Sequence, residues 1–120
     1  MEKPDITWKV FGIYMLILIL VMWAGIANAQ IQVTQFNAEW NSDNEVTWVD
    51  KLTDCKTISY VDISKQTKLA KKHKIAVIPT IIIFKDDEEV ARFQAELSFK
   101  MVATKKEVQE EIDNQLMSDF

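Results

Sequence analysis

The chain has 120 residues and a net charge of −4, which fits one domain. From Gln30 onward it carries 12 Lys/Arg against 16 Asp/Glu, contains no glycine and has a single cysteine, Cys55. That balance argues against general nucleic-acid binding, which needs a basic face. The missing glycines exclude phosphate-cradling Gly-rich loops. One cysteine excludes an internal disulfide and a Cys-based zinc site.

The first thirty residues differ in kind from the rest. No charged residue lies between Lys9 and Glu39, and residues 10–29 are almost wholly apolar. A helix of about 20 residues spans roughly 30 Å, the thickness of a bilayer's hydrocarbon core. Trp8 and Trp23 near its ends suit the headgroup region. Two readings stand side by side. Ala27-Asn28-Ala29 before Gln30 has the form of a signal-peptide cleavage site, whereas the length of the apolar run and the acidic Glu2 and Asp5 favour an uncleaved anchor. Residues 1–29 are therefore expected as signal peptide or transmembrane anchor, and residues 30–120 as the folded domain. Either way the domain is expected on the periplasmic or extracellular side, membrane-bound through residues 10–29 if these are retained.

Ile31 to Phe36 alternates apolar and polar, the period of a half-buried strand. Asn41–Asn44 is polar and turn-like, and Asp43 or Asn44 is placed to cap a short helix containing Val46, Trp48, Val49 and Leu52. Thr57–Val61 reads as a second strand. Ser64 is placed to cap a helix from Lys65 to about His73, with Leu69 and Ala70 inward. Pro79 precedes Thr80–Phe84, a continuous β-branched run of the kind buried on both faces. As a strand opener, Pro79 loses nothing by lacking an N–H. Lys85–Glu88 is expected to turn, with Asp86-Asp87 tolerating left-handed backbone, and Glu89–Phe93 to return. Thr104 and Glu107 form a capping box ahead of Val108, Ile112 and Leu116, one apolar helix face.

The expected order is β-α-β-α-β-β-α. Phe36-Asn37-Ala38-Glu39-Trp40 followed by a polar turn, Lys74-Ile75-Ala76-Val77-Ile78-Pro79-Thr80, and Ile83-Phe84-Lys85-Asp86-Asp87-Glu88 together resemble the thioredoxin family over Ile31 to about Gln115. The resemblance implies an α/β, thioredoxin-like βαβαββα core with a mixed central sheet. It also implies a cis bond before Pro79, with Ile78 offering its backbone to an extended peptide. Asn41 and Asn44 stand where the family carries its two active-site cysteines. An amide cannot replace the thiolate nucleophile of disulfide exchange, so Trp40, Asn41, Ser42, Asp43 and Asn44 read as a degenerate active site with no catalytic residue. Trp40, Ile78 and Pro79 are the expected peptide-binding positions, although plain core packing is the competing reading of Trp40.

Other residues are weaker candidates. Cys55 is either a one-cysteine redox centre or a partly buried apolar residue; Lys51 and Lys56 would lower its pKa, and Asp50 and Asp54 oppose them. His73 sits among lysines that disfavour its protonation. Lys65, Lys68, Lys71, Lys72 and Lys74 form a solvated face or one that meets anionic lipid or an acidic partner. Asn41–Glu45 is rich in oxygen but matches no calcium loop, so neither metal nor small-molecule cofactor is expected. The expected function is a redox-inactive module binding a protein or extended peptide. The alternatives are a thiol protein acting through Cys55, or a docking subunit of a membrane or macromolecular assembly.

Overall fold

The computed structural model describes residues 30–118. The apolar segment 10–29, whether signal or anchor, lies outside the described residues. Four strands build one mixed sheet: β1 (Ile31–Asn37), β2 (Thr57–Asp62), β3 (Thr80–Lys85) and β4 (Glu88–Gln94), in the spatial order β2-β1-β3-β4. β1 runs parallel to β2 and antiparallel to β3, and β3 and β4 form an antiparallel hairpin. This is the expected mixed sheet.

β1 lies inside the sheet and is closed in on both faces. Its odd positions, Ile31 and Val33, join Ile81, Ile83, Val46, Val49, Leu52, Val108 and Ile112 in the larger core cluster. Helix α2 (Lys105–Met117) covers that side, burying Val108 and Ile112 as its periodicity predicts. Phe36 faces the other way, with Val61 and Ile82, under Ile63, Leu69, Ile75 and Phe84. The apolar–polar pattern breaks after Val33: Gln35 and Asn37 share the face of Ile31 and Val33 and are buried there although polar.

Gln35 explains why the next segment is not the expected α-helix. Its amide donates to the Val46 carbonyl at 3.1 Å and accepts from the Val46 N–H at 2.8 Å. Val46 is thereby held extended, and no side chain caps the short 3-10 helix Thr47–Lys51 that follows. Asn41–Asn44 belongs to a separate 3-10 helix, Glu39–Asn44. The buried Val46, Val49 and Leu52 recur every three residues, the period at which a 3-10 helix stacks its side chains.

Helix α1 (Thr67–Lys72) begins later than expected and is not capped by Ser64. Asp62 captures the serine first, its carboxylate accepting from both the Ser64 N–H and hydroxyl. Such short side chains compete with helix starts by offering a local turn. The bonds from Ser64 hold the Asp62 carboxyl below its usual range. At α2, Thr104 does accept from the Glu107 N–H at 3.2 Å. The glutamate, however, accepts a hydrogen bond from the Thr104 hydroxyl at 3.3 Å instead of bonding a backbone N–H.

With no glycine in the domain, left-handed backbone falls to other residues: Asp54, Lys74, Asp86, Asp87 and Phe99 all have positive φ. Asp86-Asp87 forms the hairpin turn, as the sequence predicts.

His73, just past α1, packs its ring between Phe36 at 5.5 Å and Phe84 at 5.3 Å. Burial pushes its pKa down, Lys72 and Arg92 add to this, and Glu89 opposes. The native state thus resists a proton that the unfolded chain accepts. Stability is therefore fully present above about pH 6.5 and falls as pH drops through that value toward the lowered folded-state pKa. The denaturation midpoint is expected to fall between about pH 7.5 and 5.5, and His73→Gln to flatten that slope. An unchanged slope in the variant would refute the assignment.

Candidate functional site

The end of β1 gathers the residues singled out in the sequence. Phe36 pairs with Thr80 and Asn37 with Asp62, so Ile78 and Pro79 stand at the same end of the sheet as the Asn41 turn. The Ile78-Pro79 bond is cis, as the resemblance implies. Both residues are buried, and the Pro79 carbonyl accepts from the Ala95 N–H at 3.0 Å.

Asn41 and Asn44 are tied into one hydrogen-bonded network. Asn44 Nδ2 donates to Asn41 Oδ1 at 2.9 Å, so the two amides bond to one another. Asn41 is 4 % exposed. Its Nδ2 donates to Asn37 Oδ1 at 3.0 Å and to the Phe99 carbonyl at 3.4 Å. Asn37 Nδ2 returns a bond to the Asn41 carbonyl at 3.3 Å. Among the described residues no buried side-chain N or O atom lacks a partner. The network is closed, as buried amides require, and it contains no group able to attack a disulfide. Ser42 and Asp43 are exposed on the turn.

Trp40 is not core. It is 66 % exposed and meets Phe99 edge-on at 5.3 Å, a favoured aromatic geometry. Phe99 comes from the 95–103 connection, which folds back through Phe99 N–H to the Glu96 carbonyl and Glu96 N–H to the Lys100 carbonyl. Leu97 in this connection is 87 % exposed. The connection thus ties the site together: Ala95 holds Pro79, the Phe99 carbonyl holds Asn41, and the Phe99 ring lies against Trp40. Sequence reasoning missed Phe99, Asn37 and Gln35. Phe99 is 58 residues from Asn41, and nothing local to it signals the contact.

The remaining candidates lie elsewhere or are inert. Lys56, next to Cys55, bonds the Ile31 carbonyl, so Cys55 lies at the far end of β1, about 20 Å away by strand length. It packs against the larger core cluster and its thiol donates to the Leu52 carbonyl at 3.7 Å. Burial pushes the thiol up, the backbone bond pulls it down, and Asp54 raises it further. The lysines of the α1 region are exposed; Lys65 makes a loose 3.9 Å pair with Glu39. Among the described residues no group of His, Cys, Asp and Glu could hold a metal ion.

A mixed sheet with a cis-proline facing a turn at the end of its inner strand defines the thioredoxin-like class, here without the dithiol. The thioredoxin family model matches residues 25–110. The chain belongs to the thioredoxin family, as a member whose single cysteine leaves it without the Cys-Xaa-Xaa-Cys motif.

Among solved structures, it is similar to a mutant thioredoxin from Halobacterium salinarum, with a TM-score of 0.58 and 18 % identity over 71 % of this chain and 74 % of that one. It is also similar to thioredoxin-2 of a malaria parasite, described as a component of that parasite's protein secretion machinery, with a TM-score of 0.58 and 24 % identity over 72 % and 84 % of the two chains. Oxidised thioredoxin from Plasmodium falciparum aligns with a TM-score of 0.51 and 16 % identity over 77 % and 86 %. These likenesses bear on the fold alone. Comparison with the curated proteins finds no match.

Proposed function

We propose that this domain is a binding module that has left disulfide chemistry behind, exported or held at a membrane by residues 10–29. It holds a protein or extended peptide at the end of β1. The observation that carries the reading is the closed amide network: Asn41 and Asn44, where the resemblance puts the two thiols, bond each other at 2.9 Å. The exposed apolar surface beside it comes from Trp40, Phe99 and Leu97. Because Ile78 and Pro79 are buried, their contribution is through backbone, and side-chain contact falls to the aromatic pair. Cys55 gives the single-thiol alternative little support, since burial raises its pKa and the reactive form is the thiolate.

The full chain is expected to give no turnover in dithiol-dependent insulin reduction. It should bind a labelled, extended apolar peptide lacking cysteine, read by fluorescence anisotropy. Trp40→Ala should weaken that binding about tenfold, the loss of roughly 1.4 kcal/mol expected of an exposed aromatic anchor. Steady insulin reduction, or peptide affinity indifferent to Trp40→Ala, would overturn the reading.

A further inference from the structure

The two edges of the sheet are treated differently. β4 carries Glu88, Glu89 and Arg92, and a bulge interrupts its pairing at Ile83/Phe84. Charges and bulges are the devices that keep a strand edge from pairing with another chain. β2 has neither between Thr57 and Val61. Its residues Thr57 to Tyr60 are all exposed, and among them Ile58 is 37 % and Tyr60 43 % exposed. Among the described residues nothing pairs with its outer side.

We propose that β2 is the interface between two copies of this chain, paired antiparallel about a two-fold axis at Ser59 so that the two sheets become one. The register follows from the backbone. Ile63 donates its N–H to the Asn37 carbonyl at 2.9 Å, and Asn37 pairs with Asp62. In a parallel ladder of this register Thr57, Ser59 and Val61 turn their N–H and C=O groups toward β1, and Ile58 and Tyr60 turn theirs outward. Centring on Ser59 sets Ile58 against the partner's Tyr60 at both sides of the axis and Ser59 against the partner's Ser59, giving about four backbone hydrogen bonds.

The same register places the Ile58 and Tyr60 side chains of the two copies directly opposite one another, twice, on one face of the joined sheet. Aromatic and β-branched partners are favourable across strands. It also sets Lys56 against the partner's Asp62, twice, so opposite charges meet at both ends. Moving the centre by one residue loses this: about Tyr60, Ile58 would face the partner's Asp62 carboxylate, and about Ile58, Lys56 would face the partner's Tyr60. The strand is therefore self-complementary in one register, the property a two-fold interface requires. A groove of about 300 Å³ lined by Val46, Val49, Ile58 and Tyr60 borders the strand, giving the partner's side chains somewhere to pack.

The test is site-specific cross-linking of the full chain in detergent or in membranes, with Cys55→Ser removing the native thiol and a copper–phenanthroline oxidant. Ser59→Cys meets its own copy at a Cα separation of about 4.5 Å, within disulfide range. Thr57→Cys lies roughly 13 Å from its copy. Cross-linked dimer should be abundant for Ser59→Cys and absent for Thr57→Cys. By light scattering, Ile58→Lys should abolish the native dimer while leaving the circular dichroism spectrum unchanged. No cross-link at Ser59→Cys, equal cross-linking at both positions, or a dimer that survives Ile58→Lys would each overturn the proposal. The last result would assign association to another part of the chain. A monomer seen throughout would also overturn it and leave β2 to a different partner.

Discussion

Phe36→Ala is expected to lower the unfolding free energy by about 3–5 kcal/mol, the usual loss when a buried phenylalanine is truncated. Phe36 is 1 % exposed and is the largest fully buried side chain among the described residues. It anchors the smaller core cluster with Val61 and Ile82, and its ring also supports His73. The layer above it is thin: α1 has six residues, none of them buried. A groove of about 350 Å³, lined in part by Phe36, Val61, Leu69 and Phe84, borders the cluster. Partial collapse of α1 into the space keeps the loss nearer 3 than 5 kcal/mol, by the order of magnitude usual for such sites. Domains of this kind hold only about 5–15 kcal/mol in total, so the urea midpoint should drop sharply. A loss under about 1 kcal/mol would mean that this face is not a packed core.

Asn41→Ala is expected to lower stability by about 1–3 kcal/mol, because the buried Asn37 Oδ1 loses its donor. The effect should be local as well as global. The same amide holds the Phe99 carbonyl, so amide exchange in the 95–103 connection should quicken, most clearly at the Phe99 N–H bonded to Glu96. Urea unfolding reads the first effect and hydrogen exchange the second. A destabilised variant with unchanged exchange at Phe99 would show that the connection holds its place without Asn41. These two substitutions test separate halves of the molecule. Phe36→Ala concerns what holds the fold, and Asn41→Ala concerns the amide network at the end of β1.

Much of the architecture was legible because single residues carry strong local physics. The β-branched run 80–84 could only be an inner strand, Asp86-Asp87 could turn without glycine, and Thr104 could cap α2. The misread parts share a cause. Gln35 and Asn37 look solvent-facing by their polarity, yet the strand period puts them on the face of Ile31 and Val33, where each amide bonds groups beyond its own strand. Ser64 has the chemistry of a cap, but Asp62 two residues earlier took it first. The three-residue spacing of Val46, Val49 and Leu52 was present in the sequence, but it fits one face of an α-helix as well as a 3-10 helix. At the site, Trp40, Asn41 and Asn44 could be placed from sequence together with Ile78 and Pro79. Phe99 could not, since its role depends on a connection folding back across the sheet end.

The left-handed backbone of this glycine-free domain sets its room for change. Aspartate tolerates that conformation, whereas bulky residues carry a penalty of roughly 1–2 kcal/mol there. Lys74 and Phe99 are the two that carry it. They differ in what the strain accomplishes. At Lys74 a glycine would relax the turn after α1 and remove only an exposed lysine, so selection for heat resistance has an open route. At Phe99 the same relief would strip the ring from Trp40. The chain's tolerance of mutation is therefore uneven, and a survey of stabilised descendants would record the importance of the Trp40 edge as one conspicuous position that refuses the easy improvement.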